Sequence, residues 1–273
     1  MKHETVHGVS IPKIGFGTWK IGGDSYPDPK RDSASLTALH TALEAGYIHF
    51  DTAEVYADGH SEELLGRAIR ETNTKRESLF ITTKIDPGHL QFEQVLKSCE
   101  NSLRRLNMDY IDLYLIHWPP RTAAQLNEAF RALNQLVKDG KVKHLGVSNF
   151  NVKLLKQAQS LSETPILTDQ VPYRLPDRTY VENGILKYCQ QNDILLTAYS
   201  PVKFRNLPVN KTVQAIAEAH AATSYQIALA WLVAQPRVIT IPMSLNPQHI
   251  RENFEAAEIE LSQAEFETLS KLY

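Results

Sequence analysis

Eight short runs of β-branched and other apolar residues recur along the chain, and most are followed by a longer stretch in which apolar residues return every three or four positions. The runs are IGFGTW (14–19), IHFDTA (48–53), LFITTKI (79–85), IDLYLIHW (111–118), HLGVSNF (144–150), ILTDQV (166–171), ILLTAYS (194–200) and VITIPM (238–243). Helical spacing marks 33–45, 60–71, 92–106, 124–138 and 152–161, with two further helices expected between 210 and 235 and one at 262–272. Asn246 followed by Pro247 supplies a cap and a first-turn proline for another helix. Ahead of the first run, MKHETVHGVSIP predicts a hairpin turning at Gly8.

Alternation of this kind signals a parallel sheet, which leaves a closed barrel and an open doubly wound sheet as candidates. The open sheet would carry a glycine-rich phosphate loop after its first strand. Gly15-Phe16-Gly17 begins that fingerprint, but Lys20 stands where its last glycine should fall. The expected fold class is therefore α/β, a (β/α)8 TIM barrel with a short N-terminal hairpin and extra C-terminal helices, forming one domain over 1–273.

Composition narrows the partners. The 273 residues carry 29 basic and 31 acidic side chains, a net charge of −2, with no long run of one sign to attract nucleic acid or anionic lipid. The start of the chain lacks the apolar stretch of a secretory signal, and no segment approaches the ~18 consecutive apolar residues of a membrane span. Two cysteines, Cys99 and Cys189, both in helical pattern, read as buried thiols. The expectation is a cytoplasmic monomer acting on a small molecule, with no metal.

In a barrel, functional groups gather where strands end. Asp51, Lys84 and His117 fall near the ends of the second, third and fourth runs, so one opening could receive all three. Singly, each has an ordinary reading: a loop cap, an exposed amine, a hydrogen-bonded core histidine. Together they say more, because Lys84 and Asp51 are set in apolar strands where an unpaired charge costs several kcal/mol and a mutual pair resolves the cost. Tyr56 leaves the same strand as Asp51, five residues on. A phenol titrates near pH ~10, and an adjacent ammonium lowers that value enough to make it a usable acid. His117 could then hold a carbonyl oxygen beside the phenol, which describes carbonyl reduction.

These residues sit in motifs that resemble the aldo-keto reductase superfamily: GFGTW (15–19), FDTAEVY (50–56), ITTKI (81–85), NSLRRLNMDYIDLYLIHWP (101–119), KVKHLGVSNF (141–150), DQVPY (169–173), AYSP (198–201) and IP-x-S followed by RENF (251–254). The resemblance implies a nicotinamide-dependent carbonyl reductase with Tyr56 as proton donor, Lys84 and Asp51 tuning it, and His117 orienting the substrate. It implies an extended cofactor contacted by Gly17, Thr18, Ser148, Asn149, Gln170, Tyr199, Ser200, Pro201, Met243, Ser244, His249, Glu252 and Asn253. Trp19 and Trp118 join Tyr56 and His117 around the substrate. Taken on residues alone, Ser148 and Asn149 serve equally well as caps for the helix at 152 and Tyr199 as core filling.

Two departures from the family pattern bear on the cofactor. Met243 and His249 stand where the family places a lysine and an arginine against the 2′-phosphate of NADP(H), and each lost charge-assisted contact is worth roughly 1.5–3 kcal/mol. NADP(H) stays the default, with weakened discrimination and NAD(H) use expected. Asp169 replaces a common asparagine ahead of Gln170. A short loop after His117 and the absence of a long C-terminal tail imply an open, permissive pocket. The segment YADGHSEELLGRAI (56–69) most resembles the bacterial methylglyoxal and diketogluconate reductase branch. A nucleotide-sensing barrel and a Schiff-base aldolase using Lys84 are the alternatives.

Overall fold

The structure, a computed structural model, describes residues 1–204 and 209–273. Strands β1 (His3–Val6) and β2 (Val9–Pro12) form the N-terminal hairpin, with Val6 opposite Val9. The two turn residues, His7 and Gly8, both have positive φ, 47° and 79°, as in the primed turns whose twist suits a hairpin.

The main sheet comprises β3 (Phe16–Gly17), β4 (His49–Asp51), β5 (Phe80–Ile85), β6 (Ile111–Ile116), β7 (Val142–Ser148), β8 (Ile166–Pro172), β9 (Leu195–Tyr199) and β10 (Val238–Thr240), hydrogen-bonded in sequence order. Every neighbouring pair is parallel. The two ends meet: Ile14 bridges Thr240, Gly15 N donates to Thr240 O at 2.8 Å, and Gly17 N donates to Pro242 O at 3.1 Å. The sheet is thus a closed barrel, and the doubly wound alternative falls.

Around it lie α1 (Asp32–Ala45), α2 (His60–Glu71), α3 (Phe92–Leu106), α4 (Ala123–Lys138), α5 (Val152–Leu161), α6 (Thr179–Glu182), α7 (Ile185–Gln191), α8 (Lys211–Ala219), α9 (Ser224–Val233), α10 (Pro247–Glu255) and α11 (Gln263–Lys271). The pair expected between 210 and 235 is α8 and α9, and Asn246 caps α10 by accepting from Gln248 N. Helices α6 and α7 were not anticipated, being too short to show a sustained period. The first and last barrel strands are shorter than their apolar runs, because Thr18–Trp19 and Ile241–Met243 leave the ladder to form the rim.

Inside the barrel, Leu113, Leu115, Leu167, Leu195 and Ile239 pack with Val6 and Ile11 of the hairpin, which therefore plugs the N-terminal mouth. Phe50, Ile81, Ile85 and Val147 pack instead in the layer under the helices. Strand alternation fixes the remaining directions: His49 and Asp51, Thr82 and Lys84, and the continuation of Leu113 and Leu115 to His117 all face inward. His49 Nε2 and Thr82 Oγ1, 3.1 Å apart, mark this inner face. Apolar layers low in the barrel give way to polar ones at the C-terminal rim.

One strand breaks its alternation. Between β7 and β8 the register passes from Leu145 opposite Ile166 to Val147 opposite Asp169, so β8 carries one extra residue. Leu167 faces the interior, the bulge resets the phase, and Gln170 faces inward while Asp169 faces the helix layer. Gly146 makes room for this, since a Cβ there would lie 2.9 Å from Thr168 Cγ2.

Among the described residues no helix is long and apolar enough to cross a membrane, and no cluster of His, Cys, Asp and Glu could hold a metal ion. Cys99 and Cys189 are free and buried.

Candidate active site

The C-terminal rim opens into a cleft of about 570 Å³ lined by Trp19, Asp51, Tyr56, His117, Trp118 and residues from the ends of β3, β7, β8, β9 and β10. Lys84 lies beneath it, with no solvent exposure. Its ammonium donates to Asp51 Oδ1 at 2.5 Å, to Thr52 O at 2.7 Å and to the Tyr56 hydroxyl at 3.3 Å. Gln170 Nε2 donates to the other Asp51 oxygen at 2.8 Å. The Asp51–Lys84 pair is thus fully partnered inside the barrel, as the two charges in apolar strands required.

Electrostatics follow from these contacts. Burial works against the Lys84 ammonium, but Asp51 and Tyr56 outweigh it and hold its pKa above the ordinary value, so the lysine stays charged. Burial pushes the Tyr56 phenol up, the Lys84 charge pulls it down, and Asp51 adds a further push; the net shift is upward. The lowering expected from Lys84 is therefore present but outweighed, and Tyr56 is a protonated phenol at neutral pH, the form that can give a proton. His117, 5.7 Å from the Tyr56 ring between centroids and edge-on to it, is pushed down to about 3 by burial and the Lys84 charge. It is a neutral imidazole, able to donate one N–H without placing a second cation beside Lys84.

The opposite wall comes from β7, β8 and β9. Ser148 Oγ donates to Gln170 O at 2.8 Å, and Asn149 Nδ2 donates to His117 O at 3.2 Å. The Tyr199 hydroxyl donates to Asn149 Oδ1 at 3.0 Å. Helix α5 is capped by Asn151, whose side chain accepts from Leu154 N, so Ser148 and Asn149 are not its caps. Tyr199 is only half-buried and faces the cleft, which removes its core-filling reading.

Of the other expected residues, Gly17, Thr18, Ser200 and Met243 line the same cleft. Pro201, Ser244, His249, Glu252 and Asn253 do not; the last four lie along the loop before α10 and on α10 itself, in line with Met243. Trp19 and Trp118 stand at the mouth, 44% and 49% exposed. Asp24, Ser25, Val55, Lys203 and Ile241 also line the cleft and were missed. For Asp24 and Ser25 the available signal was Gly22-Gly23, which marks a tight loop: at Gly23, φ 147°, a Cβ would sit 2.1 Å from Tyr26 O. Lys203 carried none, since its ammonium reaches across to Trp19, 5.3 Å from the ring centroid.

Asp169 is fully buried outside the cleft, its Oδ1 accepting one long bond from Phe150 N at 3.4 Å and its Oδ2 without a partner among the described residues. Burial pushes its carboxyl well above the ordinary value, so it is a neutral acid occupying the volume of an amide. A raised folded-state value means that the contribution to stability is greatest below the unfolded value near 3.8 and declines as pH rises toward the folded one. Each pH unit in that window is worth about 1.4 kcal/mol. Asp169→Asn should therefore match the parent near pH 4 and exceed it increasingly toward pH 8, as thermal melts at the two pH values will read; equal differences at both would overturn this.

With this geometry in place, the chain can be set beside known proteins. It matches the Aldo/keto reductase family over residues 13–273, and it belongs to that family. Methylglyoxal reductase YeaE of Escherichia coli is 36% identical over 271 residues, covering 97% of this chain and 92% of that one. Among solved structures, the thermostable aldo-keto reductase Tm1743 in complex with the inhibitor epalrestat is 44% identical, covers both chains fully and superposes with a TM-score of 0.95. An aldo-keto reductase from Klebsiella pneumoniae in complex with NADPH is 33% identical with a TM-score of 0.88, covering 100% of this chain and 96% of that one.

Proposed function

We propose that this protein reduces small aldehydes and dicarbonyl compounds to alcohols with NADPH, working as a cytoplasmic monomer. The observation that carries the reading is the Lys84 ammonium, buried between Asp51 and the Tyr56 hydroxyl under a cleft that His117, packed edge-on to Tyr56, also lines. Family membership, the reductase relative and the NADPH-bound neighbour support it.

The residues present fit the cofactor. Gly17 lets the chain pass close to the cleft, for a Cβ there would lie 2.7 Å from Ile241 O. Ser148, Asn149 and Gln170 offer hydroxyl and amide groups for a carboxamide, and Tyr199 offers a ring face. When bound, NADPH supplies the hydride. The neutral His117 N–H and the Tyr56 O–H would both point at the carbonyl oxygen, and Tyr56 passes its proton as charge develops there. The Lys84 ammonium stabilises the phenolate that remains, and Asp51 keeps that ammonium charged and fixed.

An aldolase with Lys84 as nucleophile needs a free, unprotonated amine. Three hydrogen bonds and a raised pKa argue for the opposite. Turnover decides between the reductase and the nucleotide sensor. NADPH oxidation is measured against a panel of aldehydes including methylglyoxal and butanal; tight NADPH binding with no turnover on any of them would remove the reductase reading.

Cofactor choice is a second expectation. Met243 lines the cleft, His249 is exposed on the first turn of α10, and the nearby Arg251 lies 3.7 Å from Glu44. The reading is that NADH is accepted alongside NADPH. Met243→Lys should raise the NADPH over NADH preference in kcat/KM by about tenfold, the value of one charge-assisted contact. An unchanged ratio places the 2′-phosphate elsewhere.

A further inference from the structure

Directly after Tyr56 the backbone takes an uncommon course. Ala57, Asp58 and Gly59 are consecutive left-handed residues, with φ of 48°, 53° and 86°. A non-glycine residue in that region costs on the order of 1 kcal/mol, and such a segment persists only where its surroundings hold it. Three sets of contacts do so. Ala57 N donates to Asp24 O at 3.1 Å, and Ser61 Oγ donates to Thr18 Oγ1 at 2.9 Å. The Arg105 side chain lies beneath Gly59, where a Cβ would meet its Nε at 2.5 Å.

Glu62, in the first turn of α2, is fully buried. Its Oε2 accepts from Arg105 Nε at 2.6 Å and its Oε1 accepts from Thr83 Oγ1 at 2.5 Å. Arg105, near the end of α3, is further held by Ser102 Oγ at 3.3 Å. Thr83 is the residue before Lys84 on β5 and faces outward where Lys84 faces in. One carboxylate thus ties the start of the helix that follows Tyr56 to the strand that carries Lys84, from the outer side of the barrel. A buried ion pair is a poor source of net stability compared with apolar packing of the same volume, so a pair placed here calls for another role.

We propose that Glu62 and Arg105 are positioning residues that hold the strained Ala57–Gly59 segment and so set the distance between the Tyr56 hydroxyl and the Lys84 ammonium. The proposal rests on the reading of Tyr56 as the proton donor. Neither residue touches the cleft. Releasing them lets the segment relax, moves the phenol away from Lys84, and leaves the wall formed by Ser148, Asn149 and Gln170 as it was. A misplacement of about 1 Å at the reacting groups can cost on the order of 100-fold in rate.

The test uses the full-length enzyme with butanal and NADPH. Glu62→Gln combined with Arg105→Met removes both charges and leaves no lone buried ion. Its kcat is expected to fall about 10- to 100-fold, with NADPH affinity from fluorescence titration unchanged within about threefold. The solvent isotope effect on kcat should rise as proton transfer becomes slower, and the pH profile of kcat should shift. Thr83→Val removes one hydrogen bond and no charge; it should show the same pattern at smaller amplitude, and it carries the test if the double variant does not fold. Arg105→Lys, which keeps charge without the guanidinium fork, should recover part of the rate. A folded double variant or a Thr83→Val enzyme with the parent kcat and isotope effect overturns the proposal. So does a loss of NADPH affinity in step with kcat, which would mean general collapse of the site. If Tyr56→Phe retains the parent rate, the proton-donor reading fails and this proposal with it; if Tyr56→Phe is inactive while the clamp variants are normal, only the clamp fails.

Discussion

Tyr56→Phe is expected to lower kcat for aldehyde reduction by about 10²- to 10⁴-fold, the usual contribution of a positioned general acid. NADPH affinity should change little. The substitution removes one oxygen, the one 3.3 Å from Lys84 Nζ, and leaves the ring that packs edge-on to His117. The cleft keeps its shape, so the loss is confined to the chemical step. Single-turnover oxidation of bound NADPH reads that step directly. A variant with undiminished single-turnover rate would remove Tyr56 from the mechanism and leave His117 as the remaining donor to the carbonyl oxygen.

The second large effect concerns both folding and chemistry. Lys84→Met removes one member of a pair in which the lysine has no exposed surface and Asp51 is almost as deeply buried. What remains is a carboxylate in the barrel interior with Gln170 as its one side-chain donor among the described residues. Stability measured by urea unfolding should fall by about 3–5 kcal/mol. Adding Asp51→Asn should restore much of that loss, since the orphaned charge goes with it, while activity stays low because the phenol has lost its ammonium. A single variant as stable as the parent would mean that the pair is not ionised in the folded protein.

Much of this site could be read from the chain because its residues obey strand alternation. Asp51 and Lys84 share the inner face of their strands with His49 and Thr82, His117 continues the inward line of Leu113 and Leu115, and each stands at or just past the strand's upper end. Ser148 and Tyr199 follow the same rule on β7 and β9. Closure of the barrel was legible only indirectly, from the missing glycine fingerprint, because the bridge from Ile14 to Thr240 joins the two ends of the sheet and has no local signature. The loop residues Asp24 and Lys203 were out of reach for a related reason: their place in the cleft depends on how two connections cross the rim. The tuning of Tyr56 was misjudged in its net sign. A single sequence shows that a cation is near, but not how completely the phenol is buried, and burial is the larger effect.

Gln170 also shows where reading by alternation stops. On the period of β8 set by Leu167, Asp169 would face the interior and Gln170 the helices. The bulge reverses them, at the cost of sealing a carboxylic acid in the apolar layer.

That single extra residue has a consequence for exchanging parts between related barrels. Strands are natural units to swap when a new specificity is sought, and β8 looks interchangeable with any seven-residue parallel strand. It is not, because residues 166–169 and Gly146 on the neighbouring strand act as one mechanical unit. A transplanted β8 lacking the bulge would turn the amide away from Asp51 and bring an acid toward the lysine. A β8 moved without its glycine partner would collide with the host strand. Chimaeras in this fold are therefore best cut outside β7 and β8 taken together, so that the irregularity travels with the glycine that accommodates it.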